Sequence, residues 1–182
     1  MDREQQKRYW HTSAHILAHA VKRQFPEVKL GTGPAIENGF YYDFYREEPF
    51  TPADIEKISK AMEEIIKQNL PVEKIFVSKE EAKELLKDEP FKLEILEGIK
   101  EDTVTFYRQG DFIDLCEGPH ISSTGEVKHF KILSTAASYW RGDENRESMQ
   151  RIYGISFPTR EELDGYLKFL EEAKERDHRT LG

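Results

Sequence analysis

The chain has 182 residues, a formal net charge of −8 and 34% charged side chains, which argues against a domain that binds phosphate backbones over its whole surface. Its single cysteine excludes an internal disulfide framework and points to a reducing cytoplasm, and no apolar run is long enough for a signal peptide or a membrane span. The length suits one compact domain with a real core, alone or with an appendage.

In chain order, residues 10–25 place Ala14, Leu17, Ala18 and Val21 at helical spacing and end before Pro26, so they predict a helix with His11, His15 and His19 on one face. A Gly31-Thr32-Gly33-Pro34 turn precedes the short aromatic run Gly39-Phe40-Tyr41-Tyr42-Asp43-Phe44, which reads as a strand. Thr51-Pro52-Ala53-Asp54 starts a helix that runs to Leu70, with Ile55, Ile58, Met62, Ile65 and Ile66 on its apolar stripe. Residues 72–77 alternate as a strand, and Ser78-Lys79-Glu80-Glu81 resembles a capping box opening another helix. Further strands are expected over 103–107, 111–115, 130–140 and 148–155. Thr159-Arg160-Glu161-Glu162 then caps a last helix whose apolar residues Leu163, Tyr166, Leu167 and Leu170 give way to a charged, connector-like tail. With no internal repeat and no low-complexity segment, the pattern is α+β: a mainly antiparallel sheet covered by helices, with a C-terminal helix.

Two stretches carry chemistry. His11 and His15, four residues apart on a helix, can reach one ion or one substrate, although such a pair also occurs as packing or surface. About a hundred residues later the only cysteine, Cys116, stands four residues before His120 across Glu117-Gly118-Pro119, a turn whose glycine and proline fix the backbone. Thiolate and imidazoles together are a donor set that tetrahedral zinc accepts, and the same groups can position or deprotonate a water without metal. The spacing fits both. Asp114 lies two residues before Cys116 and so shares its face on a strand, unless it is a solvated edge carboxylate. By pattern alone Lys92 reads as a snorkelling surface lysine, Tyr41 and Tyr42 as sheet residues, and His19 as a satisfied histidine.

His11-Thr12-Ser13-Ala14-His15, Gly33-Pro34 with Asn38-Gly39-Phe40-Tyr41-Tyr42-Asp43, Asp114-Leu115-Cys116-Glu117-Gly118-Pro119-His120 and Tyr139-Trp140-Arg141-Gly142-Asp143 resemble the editing domain of bacterial-type threonyl-tRNA synthetase, in order and in spacing along nearly the whole chain. A related domain of alanyl-tRNA synthetase shares the His and Cys signature, but the two aromatic runs favour the threonyl family. The tail from Arg176 to Gly182 resembles the linker helix leading into that enzyme's class II core, which implies an editing domain over 1–158 and a linker over 159–182. ATP would be bound elsewhere in a full-length enzyme.

The resemblance implies hydrolysis of serine mischarged onto threonine tRNA, with threonine rejected by crowding of its extra methyl. One methyl is worth only about 1–3 kcal/mol of discrimination, so a second sieve is needed. It assigns catalysis to His11, Lys92 and Asp114 and substrate contact to His15, Tyr42, Cys116 and His120. No cofactor is expected, zinc on His11, His15, Cys116 and His120 being the alternative. The implied partners are the aminoacylated terminal adenosine of the tRNA(Thr) acceptor end and the remaining synthetase domains, with no membrane. A zinc-dependent alanyl-type hydrolase, a free-standing editing protein and a non-catalytic acceptor-end binding module are the competing readings. The chain departs from the pattern at Glu117, where many family members carry a basic residue. Lys128, His129, Lys131, Arg141, Arg146 and Arg151 form an alternative basic surface for the acceptor end, with Tyr139 or Trp140 as stacking platforms.

Overall fold

The structure is a computed structural model; it describes residues 1–181, with side chains described to Asp177, so Gly182 of the expected linker lies outside the described residues. Helix α1 (Arg3–Gln24) starts two turns before the expected position, because Asp2 caps it in a reciprocal box with Gln5 that no apolar periodicity announces. Short strands β1 (Lys29–Leu30) and β2 (Ala35–Ile36) both pair with β3 (Gly39–Tyr45). Helix α2 (Pro52–Gln68) has Thr51 as its cap and ends at Asn69 in the left-handed conformation. Strand β4 (Glu73–Ser78) leads directly into α3 (Lys79–Leu85), capped by the Ser78 hydroxyl. A helix that the sequence does not predict, α4 (Pro90–Glu97), follows; at about two turns and without a side-chain cap it leaves no periodic or capping signal. Strands β5 (Thr103–Gln109), β6 (Phe112–Leu115), β7 (His129–Tyr139) and β8 (Ser148–Phe157) and helix α5 (Arg160–Leu181) complete the α+β chain.

The strands form two antiparallel sheets rather than one. The larger runs β1-β3-β8-β7 with β2 added on β3, and the smaller runs β4-β5-β6. Helices α1 and α2 pack on the larger sheet, where Phe40, Tyr42 and Phe44 of β3 meet Leu17, Ile58, Met62 and Ile65 in the main core. Helices α3 and α4 cover the smaller sheet through Ala82, Leu86, Leu96, Val104 and Phe106. Every residue of α1 from Thr12 to Val21 is buried, so both its apolar stripe and its histidine face lie inside the molecule. A helix buried all round must have its polar face satisfied by protein groups: Gln109 of β5 and Asp111 meet His19, Asp114 of β6 and the loop after it meet His15, His11 and Thr12, and Ser156 of β8 meets Ser13. Among the described residues, no helix is long and apolar enough to cross a membrane.

Candidate active site

Four pieces of chain converge where α1 passes β6. Helix α1 contributes His11, Thr12 and His15, β3 contributes Tyr42, α4 contributes Lys92, and β6 with its following loop contributes Asp114, Cys116 and His120. Asp114 and Lys92 are 1% and 3% exposed, a degree of burial that carboxylates and ammonium groups tolerate only when paired. Lys92 Nζ lies 2.8 Å from Asp114 Oδ1, while Asp114 Oδ2 accepts from the Tyr42 hydroxyl at 2.7 Å and faces His15 Nε2 at 3.3 Å. Of the three contacts only that of Tyr42 has hydrogen-bond geometry, so Oδ1, buried beside the Lys92 charge, has no hydrogen-bond partner among the described residues and keeps acceptor capacity.

The second cluster is built of neutral groups whose proton positions follow from their partners. The Pro119 carbonyl can only accept, so the contact at 3.2 Å makes His11 Nδ1 the donor and leaves the lone pair on Nε2, 3.3 Å from Cys116 Sγ. Burial, and then the Asp114 charge, push the Cys116 thiol up to about 12, so it keeps its proton and can donate it to that lone pair. Gly118 N–H donates to the same sulfur at 3.3 Å. Thr12 is fully buried, and its hydroxyl oxygen accepts from Ile121 N–H at 3.0 Å. Its remaining proton faces His120 Nδ1 at 2.9 Å, which places the His120 proton on Nε2, 3.5 Å from Cys116 Sγ. Burial lowers the proton affinity of His11, of His15 and, strongly, of His120, so all three imidazoles are neutral at physiological pH.

The loop geometry depends on Gly118, whose φ of +87° and tight contact with the Tyr107 hydroxyl leave no room for a side chain. Tyr107 in turn packs its ring on His120, centroids 4.2 Å apart. Lys7, His11, His15, Lys92, Asp114 and Cys116 line a cavity of about 310 Å³, closed on its other side by residues 32–35. The backbone there runs tight against β3, because a side chain on Gly33 would collide with the Tyr42 ring. The wall of this one cavity therefore carries a buried ion pair, a neutral base and a carboxylate with an unpartnered oxygen. That suits hydrolysis of a polar ester.

His11, His15, Cys116 and His120 also meet the test for a zinc site. Their donor atoms lie within 4.8 Å of one another, and three imidazoles with one thiolate are a donor set for a tetrahedral ion. Loading it would require the thiol to lose its proton and any proton on a coordinating nitrogen to move to the other side of its ring.

A model of the threonyl and alanyl tRNA synthetase second additional domain matches residues 104–153, the stretch from β5 into β8 that carries Asp114, Cys116 and His120. The threonine–tRNA ligases of Caldanaerobacter subterraneus subsp. tengcongensis and Thermotoga neapolitana are 57% and 56% identical to this chain over its whole length. That of Clostridium tetani is 55% identical, again over all of it. The chain belongs to the second additional domain family of threonyl-tRNA synthetases. It spans 29% of the length of each of these relatives.

All seven residues that the family resemblance singled out in the sequence fall in this one constellation. Lys92 is not a snorkelling surface lysine but a buried ion-pair partner, and Tyr42 belongs to the core with its hydroxyl in the site. His19, one turn beyond His15, stays outside the cluster and is satisfied by Gln109 at 3.0 Å and Asp111 at 3.1 Å. Thr12 and Tyr107 were missed in the sequence. Thr12 sits inside the His-Thr-Ser-Ala-His motif, and its place directly after His11 was the available signal, whereas Tyr107 on β5 gave none. Two of the six residues of the alternative basic surface are spent on internal pairs: Arg146 holds Glu94 at 2.6 Å, and Arg151 holds Asp43 at 2.8 Å while lying over the Tyr41 ring. Trp140 is no stacking platform, because it is buried against Phe91 and Met149. Tyr139 remains half exposed.

Proposed function

We propose that this domain hydrolyses the aminoacyl ester of seryl-tRNA(Thr) and spares threonyl-tRNA(Thr). The observation that carries the reading is the Asp114 carboxylate on the cavity wall, held by Lys92, Tyr42 and His15 with Oδ1 lacking a hydrogen-bond partner among the described residues, beside the unprotonated Nε2 of His11. Membership of a threonyl-tRNA synthetase domain family supports a tRNA-editing role of this kind. In this reading Asp114 accepts from the substrate's ammonium or hydroxyl group, and the ester carbonyl lies toward Lys92. Water attacks the carbonyl carbon and gives its proton to His11 Nε2, an assistance worth about 10²–10⁴-fold. The Lys92 ammonium stabilises the developing oxyanion. The carbon–oxygen bond to the ribose then breaks, and the proton held on His11 passes to the departing ribose oxygen. His15, Cys116 and His120 hold these groups in place. The wall formed by residues 32–35 and Leu115 crowds the extra methyl of threonine.

A zinc ion held by His11, His15, Cys116 and His120 would supply Lewis-acid polarisation; our reading assigns base and cation to His11 and Lys92 instead. The test is deacylation of seryl- and threonyl-tRNA carrying the threonine acceptor, with and without a zinc chelator. Selective release of serine that survives chelation is the expected result. Equal release of both amino acids would overturn the sieve, and loss on chelation would overturn the metal-free assignment.

A further inference from the structure

Helix α1 carries one row of side chains at four-residue spacing: Arg3, Lys7, His11, His15 and His19. The row passes from fully buried at His15 through half-buried at His11 to exposed at Lys7 and Arg3. Lys7 lines the cavity, and its charge reaches His11. Neither Lys7 nor Arg3 has an ion-pair partner among the described residues, whereas Arg146 and Arg151 are tied to carboxylates. Glu4, one turn before Arg8, keeps the adjacent row mixed in charge and leaves this row as the cationic one. The floor of the cavity is neutral at the thiol and imidazoles and paired at Lys92, so the charge that meets an incoming ligand stands at the rim, where the two cations of this row outnumber the exposed Glu117 between Cys116 and Gly118. Any single-stranded RNA whose terminal ribose carries the ester brings its first phosphodiester a short way outside the reacting carbonyl. Each step of four along the helix is about 6 Å, so the row continues outward from His11 on the scale of one nucleotide.

We propose that Lys7, with Arg3 one turn further out, binds the phosphodiester backbone of the 3′-terminal nucleotides of the aminoacylated RNA. The inference rests on the editing reading for its substrate. It adds a phosphate site on the same helix that supplies the base, so that one rigid element sets the distance from phosphate to ester. It also accounts for RNA capture by an acidic domain, since two aligned cations at a cavity mouth act locally while the net charge repels RNA elsewhere.

The test uses this chain with Lys7→Ala, Arg3→Ala and Lys7→Arg, and reads two quantities. The first is binding of uncharged tRNA by fluorescence anisotropy over a salt series. Lys7→Ala is expected to weaken binding about five- to tenfold and to flatten the slope of log affinity against log salt by about 0.7, the value for one phosphate on a single strand. Arg3→Ala should do less, and Lys7→Arg should restore wild-type binding. The second is the preference for seryl-tRNA over seryladenosine, which has no phosphate; this ratio of kcat/KM should narrow by the same five- to tenfold through KM. Unchanged salt slope and unchanged preference in Lys7→Ala would overturn the phosphate site. Failure of the wild-type chain to cleave either ester would overturn the editing reading, while the binding series would still decide on Lys7.

Discussion

At the scale of single residues the site depends on Asp114 and the three side chains that surround it. Removing Lys92 leaves a carboxylate buried with only neutral partners, which costs about 3–5 kcal/mol when one member of a buried pair is lost. Lys92→Met is therefore expected to lower stability by about that amount in urea unfolding and to abolish deacylation. The pair Lys92→Met with Asp114→Asn should be less destabilised than the sum of the two single changes, because the uncompensated charge has gone. Additive losses would show that the two groups do not depend on each other. Thr12 gives a sharper test of the proton arrangement. Thr12→Val keeps the shape but strands Ile121 N–H and His120 Nδ1, at about 1–3 kcal/mol, and frees His120 to carry its proton on either nitrogen. Nitrogen-15 NMR of the His120 ring should find the proton on Nε2 in the wild type and a mixture in Thr12→Val, with Thr12→Ser restoring the wild-type spectrum. A wild-type proton on Nδ1 would overturn the assignment.

At the scale of elements, α1 is the helix on which the fold depends, and its buried histidines make stability depend on acid. Burial lowers His19 to about 4 from the ordinary 6.5, with Arg23 pushing the same way and Asp111 opposing. Its proton is thus taken up more readily by the unfolded chain. Stability is complete above about pH 6.5 and is lost as pH falls toward 4, by about 3 kcal/mol for this residue. Urea midpoints should be flat from pH 8 to 6.5 and fall below that. His19→Gln should remove part of the acid slope, and an unaltered slope would show that His19 does not titrate differently on folding. The histidine row of α1 was legible in the sequence because four-residue spacing makes a face whatever the side chains are. Its burial was not, since periodicity marks the apolar stripe and says nothing of what covers the polar side. Asp114 and Cys116 were legible for a parallel reason, the two-residue period of a strand. Lys92 was not, because α4 is too short for a periodic signal and a lysine between apolar residues more often snorkels. The family resemblance, rather than any local pattern, brought Lys92 forward. The division into two sheets was hidden as well, because strand pairing between distant segments leaves no mark in either one.

At the scale of the molecule, the cavity lies between the two sheet layers, with Tyr42 on the larger sheet bonded to Asp114 on the smaller. That contact and the Thr12–His120–Ile121 contacts tie layers with largely separate apolar cores. A ligand that bonds to Asp114 and also touches His11 and residues 32–35 should therefore stabilise both layers at once. A non-hydrolysable seryl amide of 3′-aminoadenosine at a hundred times its Kd stabilises the folded state by about 2.7 kcal/mol. For a chain of this size that raises Tm by about 5–10 °C. Hydrogen exchange should slow together in α1, β3, α4 and β6, because opening either layer exposes the ligand. The threonyl amide at the same concentration should give a smaller shift, in proportion to the crowding of its methyl. Protection confined to β6 and the loop ending at His120 would mean that the ligand is held by the smaller layer alone, and the sieve would then have to be sought away from the wall that residues 32–35 supply.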